Sequence, residues 1–491
     1  MNSHIKKDLK KIKKERISAP EGSTRTYGVY QIFTGDLSEG ILSNVKWGKN
    51  AKLPEGAEIG KLVSEEILGE LTAVNSASDI DKLNVIKQYV DLNSDAIGTV
   101  SNGSPLRVPT GYYLIKDNGE VGEGESYSLY VVEVVGPTTI SPKTGTTEFE
   151  KKVKDTNDTI GETSGWQDSA DYDIGDNVPF QLKATLPENV DKYETYKVVF
   201  HDTLSKGLTY NEDAKVYING VEAGGFTPKF DTNSDGITTL TFSCDDVKKL
   251  GAGNKAVITV EYTAELNNEA VIGSTGNPND AYLEYSNNPN DEGTGVTPND
   301  TVIVFTYKIV VNKITENPDY KPEEEGSEEF IPLKGAGFTL YKKSKEFKDK
   351  YIEVVIGTDD EGNDIKELKG DDMTTFEWKG LDDGDYKLVE TTTPAGYNTI
   401  ADILFSITAE HEIKSDNPAL TGLSGDVTSG SATFTPSVDN CSLSTDVVNN
   451  KGAQLPSTGG MGTTIFYVLG SILVLGTAVL FVVKKRMSVE E

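Results

Sequence analysis

Tyr, Val, Thr and Phe alternate with polar residues along most of this chain, and Gly, Asn and Asp break the alternation at short intervals. Tyr112 to Lys116, Tyr127 to Val135, Thr195 to Phe200, Ala256 to Tyr262, Val302 to Val311 and Ala336 to Tyr341 all show it. A period of two puts successive side chains on opposite faces, so these segments read as half-buried strands. Many short strands with Gly/Asn turns suggest sandwiches of the immunoglobulin type. One region differs. Glu65 to Val74 and Ile80 to Leu92 carry apolar residues at helical spacing, with Leu83, Ile86, Tyr89 and Val90 on one side. The expected fold class is therefore mainly β: tandem immunoglobulin-like β-sandwich domains behind an α+β N-terminal domain.

The length of 491 residues suits about three domains. Gly136-Pro137 and Ile140-Ser141-Pro142 mark one boundary, and the polar stretch from Asn287 to Asp300 marks another. The expected division is 1–23, 24–140, 141–300, 301–453 and 454–491. Seven Lys/Arg stand against Asp8 and Glu15 in the first sixteen residues, but no apolar run follows them. Residues 1–23 are thus expected to be a basic leader or a disordered segment, with either an export signal missing from this start or the start itself wrongly assigned. The formal net charge of −31 gives an acidic exterior that argues against nucleic acid as a partner. Cys244 and Cys441 lie in different expected domains, so no disulfide is anticipated. His4, His201 and His411 are isolated in sequence, which leaves little support for zinc or Ser/His/Asp chemistry. No metal and no cofactor are expected. Asp231 to Gly236 looks like the start of a calcium loop, but Phe242 stands where a bidentate Glu belongs, so it reads as a β-turn. Asp359 to Asp364 reads as a hairpin turn too.

Near the C-terminus Leu455, Pro456, Ser457, Thr458 and Gly459 read LPSTG. From Ile465 to Val483 no side chain is charged, and Lys484-Lys485-Arg486 follow at once. That run is long enough to span a bilayer as a transmembrane helix, and the basic cluster would hold its end on the cytoplasmic side. The trio resembles the cell-wall sorting signal of Gram-positive surface proteins. The resemblance implies cleavage by a sortase between Thr458 and Gly459.

Residues 386 to 397 read YKLVETTTPAGY, which fits YxLxETxxPxGY. This resembles the E-box of Gram-positive pilins and of collagen-adhesin B-type domains, whose Glu catalyses an intramolecular Lys–Asn isopeptide bond. Glu390 occupies that position. Periodicity selects its partners. Ile309, Val311, Lys313 and Thr315 share one strand face, as do Leu443, Thr445, Val447 and Asn449. Lys313 and Asn449 are therefore the expected pair. Burial lowers a lysine pKa and so favours the neutral, nucleophilic amine, while a buried carboxylic acid stays protonated and can polarise the amide. In the preceding domain Phe149, Lys151 and Val153 alternate on one face, and Ala281, Leu283, Tyr285 and Asn287 on another. Phe200 to Leu208 between them resembles the segment around the catalytic Asp of middle domains in backbone pilins. The expectation is Lys151 joined to Asn287 with help from Asp202. Each bond would close a loop of more than a hundred residues, which restricts the unfolded chain as a disulfide does.

Ile140-Ser141-Pro142-Lys143 resembles the end of the pilin motif WxxxVxVYPK, although Val134, Thr138 and Ser141 depart from it. The resemblance implies that Lys143 attacks the sortase-bound Thr458 of another subunit. Together these features resemble the backbone, or major, pilin of a sortase-assembled pilus. The implied partners are a pilus-type sortase, identical subunits, minor pilins and peptidoglycan, with the membrane engaged through the C-terminal helix before cleavage. The implied location is the cell wall and a surface pilus, reached from a precursor in the plasma membrane. Such a chain is not an enzyme. The alternative is a wall-anchored adhesin or minor pilin that binds a host ligand and leaves Lys143 unused. A wall-anchored hydrolase is disfavoured by the scarcity of His and the absence of a paired-carboxylate motif.

Overall fold

The computed structural model describes residues 14–134, 138–141, 144–453 and 462–487. Within them the backbone is mostly strand. The two helices of the first unit, Glu65–Ala73 and Asp79–Ile86, lie where the sequence has helical spacing. Ser64 and Ser78 cap them, each hydroxyl accepting a free first-turn N–H. The second ends at Ile86 rather than running on to Leu92, and a short 3-10 turn, Lys87–Tyr89, takes over. Leu83 and Ile86 bury against Phe33, Trp47 and Leu114 of the adjoining sheet.

The N-terminal stretch departs from the expected disorder. Lys14–Ser18 is a strand, antiparallel to Leu106–Pro109 and parallel to Thr138–Thr139. Ile17 is its anchor, buried with Tyr27, Val29, Val108, Tyr113 and Ile140. One apolar residue in a run of charges makes no periodic signal, so the pairing is set entirely by the sheet that receives it.

In the second unit Glu148–Val153, Asn177–Thr185 and Val257–Leu266 are consecutive antiparallel neighbours in one sheet. In the other, Val198–Leu204 lies between Asn277–Ser286 and Thr238–Cys244. Phe180, Leu182, Val260 and Leu266 from the first meet Phe200, Ala281, Leu283 and Tyr285 from the second in one core. Each Val, Leu or Phe among them contributes roughly 1.5–3 kcal/mol by leaving water. Asp300–Phe305 pairs with Asn277–Ser286 and so belongs to this second unit. The boundary expected at 300 therefore moves to Thr306, the single residue before the strand Tyr307–Glu316.

The third unit has the sheet order that matters most for the site. Tyr307–Glu316, its opening strand, pairs in parallel with Ser442–Val448, its closing strand, and antiparallel with Thr375–Leu381. Gly337–Ser344, Gly384–Thr392, Ile403–His411 and Leu420–Ser429 form the facing sheet. Cys244 and Cys441 are both free and buried. The Asp231 and Asp359 segments are turns. Asn233 Oδ1 accepts the amides of Asp235 and Ile237, and Asp359 Oδ1 accepts those of Glu361 and Asn363.

The C-terminal helix is Gly462–Met487. Its described side chains run unbroken from Phe466 to Val482 and are exposed. Among the described residues no helix is long and apolar enough to cross a membrane.

Candidate crosslinking sites

The alternation that makes the opening strand of the third unit amphipathic turns Tyr307, Ile309, Val311, Lys313 and Thr315 inward. Lys313 is 0% exposed. In the parallel partner strand Leu443, Thr445 and Val447 face the same core, and Asn449 follows at 0% exposure. The Asn449 amide donates to Ile314 O at 3.0 Å, which seats its side chain beside Lys313. Lys313 Nζ donates to Asn449 Oδ1. Glu390 comes from the facing strand Gly384–Thr392. Its Oε1 accepts Asn449 Nδ2 at 2.8 Å and lies 3.3 Å from Lys313 Nζ. Its Oε2 accepts the Ile400 amide at 3.0 Å, which fixes the carboxyl group. Phe338 covers the amine, with its ring centre 5.5 Å from Nζ. Burial pushes the Lys313 amine below the usual lysine range, against the pull of Glu390. Burial of an ammonium costs several kcal/mol, which shifts this site toward the neutral amine, the form that can attack a carbonyl carbon.

The second unit holds a related cluster. Lys151, 0% exposed, points from Glu148–Val153 to Asp202 on the opposite sheet, Nζ to Oδ1 at 2.7 Å. Tyr262 donates to Asp202 Oδ2 at 2.6 Å and lies 3.4 Å from Lys151 Nζ. Phe180 and Tyr262 flank the amine at 5.5 and 5.7 Å. Burial lowers the Lys151 pKa, and Asp202 opposes that shift. The amide brought to this cluster is Asn279, whose Nδ2 donates to Tyr262 Oη at 2.8 Å while its Oδ1 is buried without a hydrogen bond.

Asn287 is not brought to Lys151. Asp202 pairs with Ala281, and Asn279 sits one same-face step away opposite Leu204. Asn287 lies beyond the far end of that strand, eight residues from Asn279, or roughly 26 Å at about 3.3 Å per residue. It serves the joint to the first unit, where its carbonyl accepts the Tyr127 amide at 2.7 Å. Alternation placed both asparagines on the inward face; only the register of the Asp202 strand separates them. Tyr262 went unnoticed because a tyrosine in a strand is an ordinary core residue. Lys143 and the LPSTG residues Leu455, Pro456, Ser457, Thr458 and Gly459 lie outside the described residues.

Comparison with known proteins bears on the same segments. Residues 174–289 match the Cna-B-like domain of Gram-positive pilin backbone subunit 2. Residues 321–418 match a prealbumin-like fold domain, and 447–488 match the LPXTG cell wall anchor motif. The trypsin-resistant surface T6 protein of Streptococcus pyogenes is 24% identical over 427 residues, covering 72% of this chain and 71% of the relative. The type 2 fimbrial subunit of Actinomyces naeslundii is 26% identical over 333 residues, covering 62% and 60%. The solved structure of the T6 backbone pilin of serotype M6 S. pyogenes superposes with a TM-score of 0.53 at 19% identity, over 90% of this chain and 98% of that one. The likeness to that structure is one of fold.

The tandem β domains and the anchor motif define a structural subunit of a surface pilus anchored to the cell wall. The chain is similar to the Gram-positive backbone pilins, and its role is that of a major structural subunit. The LPXTG anchor carries with it sortase processing, covalent pilus polymers and linkage to peptidoglycan.

Proposed function

We propose that Lys313 and Asn449 form an isopeptide bond assisted by Glu390, that Lys151 and Asn279 form a second assisted by Asp202, and that a pilus-type sortase joins Thr458 of one subunit to Lys143 of the next. The observation that carries the reading is the contact of Lys313 with both the Asn449 amide and Glu390, between the opening and closing strands of one sandwich. The neutral Lys313 amine attacks Asn449 Cγ. Glu390 Oε1, which faces both nitrogens, passes a proton from Nζ to Nδ2. The C–N bond of the amide breaks and ammonia leaves. Asp202 performs the same transfer between Lys151 and Asn279, with Tyr262 holding the carboxyl group and the amide in line. Each acid acts once, so the chain is a self-processing structural protein rather than a turnover enzyme.

Thr458 is then the electrophile of the intersubunit joint and Lys143 its nucleophile. In sequence Lys143 stands just after the expected limit between the first and second units, at residue 140. The uncharged run from Ile465 to Val483, with the basic cluster behind it, keeps the precursor at the plasma membrane until cleavage, minor pilins join the fibre, and a last transfer fixes it to peptidoglycan. Co-expression with a cognate pilus sortase tests the joint: a high-mass ladder should form and vanish on Lys143→Ala. A ladder unchanged by Lys143→Ala would show that another amine is used.

A further inference from the structure

His411 ends the strand Ile403–His411 of the third unit and meets two carboxylates of the second, Asp155 and Asp171. One ligand atom from each of the three lies within 4.8 Å of the others. Lys342, whose charge also acts on Asp171, directs its ion pairs to Asp158, Asp173 and Asp382. Among the described residues no lysine or arginine ion-pairs with Asp155 or Asp171, and His411 Nε2 is the basic atom that faces them.

The hydrogen bonds fix the protons on the imidazole. Ser169 Oγ donates its one proton to Glu412 O at 2.7 Å. It also lies 2.7 Å from His411 Nδ1, so there it can only accept, and Nδ1 carries the hydrogen. In the neutral ring Nε2 is then a bare lone pair. It faces Asp155 Oδ2 at 3.7 Å and Asp171 Oδ1 at 3.8 Å. These separations are too long for hydrogen bonds. They approach the distance of about 3.4 Å between ligand atoms around an ion bound tetrahedrally at about 2.0–2.2 Å. Asp171 Oδ2 is buried with no hydrogen bond, and the buried Tyr307 hydroxyl near it closes none of normal geometry. Three ligand atoms converge; burial and the Asp171 charge push the Asp155 carboxyl up to about 8, so a bound cation displaces a proton there, and the imidazole is oriented through its far nitrogen in the way metal-bound histidines are.

We propose that Asp155, Asp171 and His411 bind one divalent first-row cation, zinc or manganese, which fastens the second unit to the third. One imidazole and two carboxylates suit such an ion, whereas calcium takes six to eight oxygens. Asp382 and Asp383, which with Asp171 make an adjoining acidic group, add to the negative field.

The full-length chain, stripped with EDTA, is titrated with Zn²⁺ and with Mn²⁺ by calorimetry, with Mg²⁺ and Ca²⁺ as comparators. One equivalent of zinc or manganese should bind and raise the melting temperature, and Co²⁺ should give visible bands of mixed N/O ligation. His411→Ala and Asp171→Asn should abolish the binding, and Ser169→Ala should weaken it by about 10-fold or more. An intact-mass check that each variant still carries the same number of internal bonds as the parent guards against misfolding. Absence of stoichiometric uptake at millimolar metal, or unchanged affinity in His411→Ala, overturns the proposal. So does an imidazole NMR signature of doubly protonated His411 at neutral pH that does not respond to metal.

Discussion

At the residue scale, two buried lysines decide the chemistry, and both can be read by mass. The parent chain should weigh less than its sequence by two ammonias. Asn449→Ala and Asn279→Ala should each leave a deficit of one, and Asn287→Ala should leave both. A deficit of one in Asn287→Ala would return the second bond to Asn287. Losing the Lys313 bond opens a loop whose ends are 136 residues apart. The chain-entropy estimate for such a loop is about 5 kcal/mol, or about 10–20 °C in the melting temperature of that unit. A calorimetric shift under about 3 °C for Glu390→Ala would contradict this. The uncrosslinked Asn449→Ala variant should also show an unusual pH dependence. The folded Lys313 pKa is lowered below 10.5, so the unfolded chain binds more protons in the window between the two values. Stability should therefore rise as pH climbs toward 10.5, measured by denaturant melts; a flat or falling trend contradicts the buried neutral amine.

At the scale of elements, the parallel pairing of Tyr307–Glu316 with Ser442–Val448 means that the proposed Lys313–Asn449 bond alone would tie the sandwich. Force applied along the fibre enters through the first strand and leaves through the last, so a bond between them bypasses the rest of the unit. The N-terminal strand makes a separate prediction. Ile140 donates its amide to Ser18 O at 2.9 Å, three residues before Lys143. Ile17→Asp places a charge in the core of the first unit and should release Lys14–Ser18. Hydrogen exchange at the Ile140 amide should speed up by at least about 10-fold, and unchanged protection would mean that the strand is not what holds this segment. Faces were legible in both cases where alternation extended over a whole strand. Lys14–Ser18 was not, because a single buried Ile cannot announce a strand.

At the scale of the molecule, the joints are built from loops that reach across. Asn290 Oδ1 accepts the Tyr130 amide at 2.7 Å and its Nδ2 donates to Ser128 O at 2.8 Å, between the second and first units. Thr159 Oγ1 accepts the Asp385 amide at 2.9 Å, between the second and third. Asn290→Ala should loosen the first joint without touching either bond. Small-angle scattering should then report a wider spread of lengths while intact mass stays at a deficit of two ammonias. An unchanged scattering profile would mean that packing alone holds the joint.

The sequence by itself determined the period of two, hence the β class, and with it which residues face inward along each strand. It determined the sorting motif, the apolar run behind it and the E-box, because these are local strings whose chemistry depends on neighbours in the chain. It could place Lys151, Lys313 and Asn449 on buried faces for the same reason. Tertiary structure alone decided which asparagine meets Lys151, because that depends on the register of a strand almost eighty residues from Asp202. It alone brought His411, isolated in sequence, to Asp155 and Asp171 across a joint between two units. Alternation fixes a direction perpendicular to the sheet, and only pairing between distant strands fixes the position along it.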